Sequence, residues 1–336
     1  MILALVLLGW LAYLRFSVQG FDWSLFLSGI SGIRWNWVVV AVILIYGTYY
    51  GRALRWAVLL RPLKPELDFA GLTSATVIGF TAITLFGRPG EFVRPYLISV
   101  RQKVSLTSQL AAWVLERMFD LLMALLVFGY ALARVSSSGI QVGPALTWVL
   151  KAGGQFVVVI GILLVGVLFA FRHFAEPMRR RLAEALSFLP QPYLPRMERL
   201  LTACVQGVES TRSDAALLLL LLYSVVEWVL IAACYWCLAQ AFSGLLHLSL
   251  VDILIFMGFV SFGAVVQIPG VGGGVQVVSV VVLTELFGIR FELATVFSLF
   301  IWLITFVAIV PVGLALALRE GLNWRSLKRI GDEVEQ

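Results

Sequence analysis

Apolar runs long enough to cross a bilayer alternate along this chain with short polar segments that carry arginine. A spanning helix needs about 20 consecutive apolar residues at a rise of about 1.5 Å each. Trp37–Leu60, Leu106–Ala133, Trp148–Phe171, Ala215–Phe242 and Leu293–Leu318 reach that length, the first of them interrupted by Gly51-Arg52-Ala53-Leu54-Arg55-Trp56. Met1–Leu14 is shorter and reads as a first span extending towards Val18, with Arg15 snorkelling. In Phe21–Trp35 the large residues Trp23, Phe26, Leu27, Ile30 and Trp35 are mixed with polar ones, which suits a helix lying in the membrane interface.

Two further apolar runs are broken by glycine and proline. Leu67–Phe86 leads into Gly87-Arg88-Pro89-Gly90-Glu91-Phe92-Val93-Arg94. Val251–Ile268 and Val275–Phe287 flank Pro269-Gly270-Val271-Gly272-Gly273-Gly274-Val275-Gln276. Such breaks free backbone groups, which membrane depth tolerates only where protein or a watery cavity satisfies them. Both stretches therefore read as tips of broken, partly re-entrant elements around one polar site. The pattern predicts an all-α polytopic membrane protein of roughly seven to nine hydrophobic segments, two of them broken or re-entrant, forming a single domain over residues 1–336. Each half runs helix, broken element, helix, the order in which inverted-repeat transporters build a midplane site. Sequence identity between the halves is negligible.

Charge refines the topology. Residues 51–66 carry Arg52, Arg55, Arg61 and Lys64, and residues 87–103 carry Arg88, Arg94, Arg101 and Lys103, so both belong in the cytoplasm. Leu67–Phe86 then enters and leaves on one side, which puts Lys64 and Gln102 on the same face. The basic connector 172–214 and the C-terminal Arg319, Arg325, Lys328 and Arg329 are also placed inside, with Val135–Thr147 and residues 243–249 outside and both termini cytoplasmic. Composition agrees: 61% of residues are hydrophobic and 13% charged, with a mean hydropathy of +0.97, against about a quarter charged in a soluble domain. The net charge of +6 draws the protein to anionic lipid head groups. No long basic region stands outside the bilayer, so nucleic acid is not an expected partner. No cofactor is expected either, since a GxxxxGK[ST] loop and a metal-ligand cluster are both missing from the sequence. Cys234 and Cys237 read as small apolar residues on a helix.

The chemistry-bearing residues are few. Arginine presents a planar fork of donors that matches phosphate oxygens. Arg88 and Arg94 flank Glu91, which can orient either guanidinium or accept a substrate ammonium, while Gly87 and Gly90 let backbone approach a head group closely. Arg52 and Arg55 share a helix face and either snorkel to the interface or form a phosphate-facing pair. Glu116, Arg117 and Asp120 sit within one helical turn of each other, facing a groove or satisfying one another. Glu227 lies deep in an apolar run and calls for an arginine partner, Arg117 or Arg88 being the first candidates, or for a proton.

Gly87-Arg88-x-Gly90-Glu91-x-x-Arg94, Glu116-Arg117-x-x-Asp120 and the later Pro269-Gly270 with Gly272, Gly273 and Gln276 together resemble the lysylphosphatidylglycerol synthase transmembrane-domain family. The resemblance runs from the Arg52/Arg55 segment to the last helix. It implies a flippase-like protein of a bacterial-type cytoplasmic membrane, not an enzyme, that moves a lipid with a polar or charged head group. An aminoacyl-phospholipid, a glycolipid or a polyprenyl-phosphate-linked sugar would be the class of substrate. Membrane lipids are the expected partners, with a homo-oligomer or a synthase as further ones. Family members commonly place a glutamate where this chain has Gln276. No aminoacyl-transferase domain follows Gln336, so the head group would be made elsewhere. The alternatives are a non-transporting partner of a lipid-modifying synthase and a membrane transferase using a lipid-phosphate donor.

Overall fold

Inside a bilayer every backbone amide and carbonyl must find its partner within the protein, and a helix supplies one locally. The computed structural model describes residues 21–137, 153–167, 169, 213–244, 246–263, 267–268 and 272–321, which are almost wholly helical. The expected first span, the loop beyond Ser137, most of the connector 172–214, Pro269, Gly270 and the C-terminal basic segment lie outside the described residues.

Helix α1 (Trp23–Ser31) starts where the Asp22 carboxylate accepts from the amides of Ser24 and Leu25, and it leaves Trp23 and Leu27 exposed as an interfacial helix would. Then come α2 (Trp35–Leu60), α3 (Phe69–Phe86), a 3-10 turn (Arg88–Phe92), α4 (Val93–Gln102) and α5 (Leu106–Ser137). The second part holds α6 (Gly153–Val167), α7 (Asp214–Ala241), α8 (Leu250–Gly263), α9 (Gly274–Glu285), α10 (Phe291–Trp302) and α11 (Val310–Arg319). Among the described residues Trp35–Leu60, Phe69–Phe86, Leu106–Ser137, Asp214–Ala241 and Phe291–Arg319 are long and apolar enough to cross a membrane. The protein is all-α and polytopic, as the apolar pattern predicts.

Two details depart from that pattern. The polar stretch Gly51–Trp56 does not interrupt α2, because Arg52 and Arg55 bond to neighbouring helices and not to the helix's own backbone. The last span is itself interrupted: a π-helical segment, Leu303–Val307, joins α10 to α11, whose first turn holds Pro311. Carbonyls loosened there are taken by hydroxyls from elsewhere in the bundle. Tyr46 and Tyr49 of α2 donate to Ala308 (2.7 Å) and Thr305 (3.0 Å), and Thr84 of α3 donates to Phe306 (3.1 Å).

Helices α3 and α4 form a hairpin whose base is closed by side chains. Lys64 Nζ donates to the Gln102 carbonyl at 3.1 Å, Gln102 Nε2 to the Asp68 carbonyl at 2.9 Å and Arg101 to the Gly71 carbonyl at 2.6 Å. Arg101 and Ser74 also bind Glu320 just beyond α11. A second hairpin, α8 and α9, turns through two-residue strands β1 (Gln267–Ile268) and β2 (Gly272–Gly273), with Gln267 opposite Gly273 and Ile268 opposite Gly272. Gly273 holds φ +124°, a conformation that a side chain would strain.

The packing repeats. α2 lies along α7, α5 packs on α8 as α11 packs on α3, and α4 packs on α5 as α9 packs on α10. Exchanging α2–α5 with α7–α9 and the α10–α11 span preserves these contacts, as an internal two-fold repeat would.

Gly90 sits where a Cβ would run into the backbone of Ala82 on α3, whereas Gly51, in the middle of α2, has nothing within 4 Å. Gly90→Ala is therefore expected to lower the thermal midpoint of detergent-purified protein, and Gly51→Ala to hold or raise it, since helix propensity adds up to about 1 kcal/mol of stability. Equal midpoints for the two variants would show that the hairpin tip is not packed in this way.

Candidate functional site

An isolated charge in a membrane interior is expensive, and bringing opposite charges together with good hydrogen bonds offsets that cost. Seven ionisable side chains do this between α2, α4, α5 and α7. Arg55, three residues after Arg52 on α2, is fully buried and sits at the centre. Its guanidinium reaches Glu116 Oε1 at 2.7 Å, Asp120 Oδ1 at 2.7 Å and Glu227 Oε2 at 3.3 Å, and donates to Ser224 Oγ at 3.0 Å. Arg52 pairs with Glu227 Oε1 at 2.5 Å and stacks over the Phe80 ring, 4.4 Å from its centroid. Arg94 enters from α4, binds both carboxylate oxygens of Glu116, and stacks over Trp56 at 4.2 Å. Arg117 reaches Asp120 Oδ2 at 3.0 Å and Glu116 Oε2 at 3.6 Å.

Three features define the cluster. The first is depth. Glu227 lies 13 residues beyond Asp214 and 14 short of Ala241, so about 20 Å of helix extends on either side of it. The second is asymmetry of access. The side chains of Arg55, Glu116 and Glu227 are 0–1% exposed, whereas Arg52, Asp120 and Arg117 are 15%, 17% and 36% exposed. The cluster has a sealed side and an open side. The third is charge balance: four guanidiniums (Arg52, Arg55, Arg94, Arg117) meet three carboxylates (Glu116, Asp120, Glu227), leaving one positive charge in excess.

The structure thus brings Arg52, Arg55, Arg94, Glu116, Arg117, Asp120 and Glu227 into one site. Interfacial snorkelling of Arg52 and Arg55 is corrected: both point into the bundle, because three acidic groups there outweigh the pull of water. Glu227 has the arginine partner its depth demands, but it is Arg52 with Arg55, not Arg117 or Arg88. The arginine motif of the first tip divides in two. Arg88 is 60% exposed and lies 3.6 Å from Glu91, while Arg94 turns inward because α4 begins at Val93 and rotates it towards Glu116. Gly90 is buried at the tip between them.

Gly272, Gly273 and Gln276 belong to the second tip, where the Gln276 side chain accepts from the Gly273 amide at 2.7 Å. The ion pairs of the cluster do not include them. Pro269 and Gly270 lie outside the described residues. Sequence reasoning missed Ser224, one turn before Glu227 on α7, and Phe80 and Trp56, whose rings carry the guanidiniums. The three-residue spacing of Ser224 and Glu227 was the available signal for the first. Cys234 and Cys237 are buried thiols on α7, and His247 is exposed near the start of α8.

A family model described as the lysylphosphatidylglycerol synthase TM region matches residues 1–313. Comparison with curated proteins finds no match.

The charge excess makes a prediction that counting ion pairs does not. Glu227→Gln raises the buried excess to two positive charges, whereas Arg52→Gln removes it and leaves Glu227 with Arg55. Glu227→Gln is therefore expected to be the more destabilising, on the order of 3–5 kcal/mol for a stranded buried charge. Thermal unfolding of the two variants in the same detergent measures the difference, and the opposite order would refute the charge count.

Proposed function

The chain belongs to the lysylphosphatidylglycerol synthase transmembrane family, and from that premise we propose that it is a flippase-like transporter, carrying a lipid with a polar or charged head group across the cytoplasmic membrane. Family membership and the five apolar spans make it an integral membrane protein of lipid metabolism or transport. The observation that carries the finer reading is the buried ionic cluster with one open side, set within the spans and reaching the middle of α7 at Glu227. A head group crossing a bilayer loses its hydration, and fixed charges with hydrogen-bonding capacity can replace it at the depth where the loss is greatest. The acyl chains would stay in lipid while the head group passes along Arg52, Asp120 and Arg117. In this reading the α3–α4 hairpin is re-entrant from the cytoplasmic side, since Lys64 and Gln102 meet at its base, and Arg88 and Glu91 border the path at its tip.

Reconstituted protein with a fluorescent lipid and a membrane-impermeant quencher tests the reading. Protein-dependent lipid movement is expected, and no movement of any lipid above that in empty vesicles would overturn it. Arg88→Ala should slow movement at an unchanged thermal midpoint, because that side chain is exposed. Arg94→Ala should lower the midpoint as well, because it strips Glu116 of a partner. Wild-type rates from Arg88→Ala and Glu91→Gln would take the tip out of the path. For the re-entrant path, single cysteines at Glu66 and Lys103, both exposed beside the hairpin base, should react with an impermeant maleimide from the same side. Reaction from opposite sides would make α3 a full span.

A further inference from the structure

We propose that the head group taken by this site is anionic, a phosphate-bearing lipid of net negative charge docked on Arg117 and Arg52, and that a cationic aminoacylated lipid is a poor ligand. This rests on the transport reading for its route but not for its binding site. Each carboxylate of the cluster is already committed: Glu116 to Arg55, Arg94 and Arg117, Asp120 to Arg55 and Arg117, and Glu227 to Arg52 and Arg55. A substrate ammonium would have to displace a guanidinium and would raise a charge excess that already stands at one. An anion meets the reverse situation. It neutralises the excess and can accept from the buried Nε atoms of Arg52, Arg55 and Arg117, which make no hydrogen bond; Asp120 Oδ1 and both Glu227 oxygens make none either, but each already faces a guanidinium in an ion pair. Two of those three guanidiniums, Arg117 and Arg52, lie on the open side of the cluster, at 36% and 15% exposure. Planar guanidiniums with free N–H groups suit phosphate oxygens, which accept two donors at once. The phosphate diester of an anionic phospholipid and the phosphate of a polyprenyl carrier share this chemistry, as does free inorganic phosphate.

Detergent-purified wild-type protein is titrated, at constant ionic strength, with micelles doped with phosphatidylglycerol, phosphatidylcholine or lysyl-phosphatidylglycerol, and separately with inorganic phosphate. Binding is read as a rise in thermal midpoint. Proteoliposomes carrying fluorescent versions of the same three lipids give the transport rates. Phosphatidylglycerol is expected to raise the midpoint and to move fastest. Arg117→Gln should weaken its binding about tenfold, the loss of one charge-assisted hydrogen bond, and Arg117→Lys should restore only part of it.

Equal or stronger binding of lysyl-phosphatidylglycerol by the wild type would overturn the charge assignment, whether or not Arg117→Gln folds. A midpoint shift with inorganic phosphate but none with phosphatidylglycerol would overturn the lipid as the source of the anion. Selective binding of phosphatidylglycerol with no lipid moved would leave the anion site standing and remove the transport reading.

Discussion

The structure depends on compensating seven charges in a place where water cannot. A charge brought into low dielectric loses several kcal/mol of hydration, and an ion pair regains it only with close geometry and few donors left over. Arg55 illustrates the arrangement, since one guanidinium binds carboxylates on two different helices together with the Ser224 hydroxyl. Helices α2, α5 and α7 can therefore slide past one another only by breaking several ionic contacts together. α4 is bound to them through Arg94 and Glu116 in the same way. Ionic contacts of this kind fix register more than they add net stability, because an apolar core of the same shape would avoid the desolvation cost altogether. Their presence inside the spans, at the middle of α7 and towards the end of α2, points to a use for charge itself.

Hydroxyl groups play the corresponding part at the break in the last span. Lipid tails are as apolar as leucine side chains, so helix association relies on packing and on hydrogen bonds between helices. The π-helical turn and Pro311 loosen successive carbonyls, and Tyr46, Tyr49 and Thr84 each donate to one of them. The break is thereby tied to α2, which carries the two central arginines, and to α3, the first arm of the hairpin. Ionic cluster and helix break share two elements of one scaffold.

Much of this was legible in the sequence, and the limits of legibility have a physical cause. The apolar runs showed the spans, and the glycine-bearing breaks located both hairpins to within a few residues. The three- and four-residue spacing of Glu116, Arg117 and Asp120 placed them on one turn, because helical periodicity is local. The partners of Glu227 were out of reach. Pairing Arg52 and Arg55 with Glu227 depends on how α2 lies along α7, two helices far apart in the chain, and periodicity says nothing about that register. The inward turn of Arg94 was hidden for a different reason. Gly87-Arg88-Pro89-Gly90-Glu91-Phe92-Val93-Arg94 looks like one polar motif, yet a change from 3-10 turn to α-helix at Val93 divides it between an exposed tip and a buried core.

That division bears on how the hairpin can move. Its base is held to α11 by Arg101 and Ser74 through Glu320, and its second arm is held to α5 by Arg94 through Glu116. Separating α4 from α5 would strip the fully buried Glu116 of one of its guanidiniums, the kind of loss that costs several kcal/mol. Separating α3 from α11 would expose the loosened carbonyl of Phe306 that Thr84 covers. Both arms therefore belong to the fixed part of the bundle. The turn Arg88–Phe92 between them combines packing with exposure: Gly90 is buried against the backbone of Ala82, whereas the Arg88 side chain is 60% exposed and lies 3.6 Å from Glu91. In the transport reading, the part of this hairpin placed to meet a head group is therefore the exposed Arg88 side chain at its tip, while both arms and the buried Gly90 stay packed, with no arm swinging through the membrane.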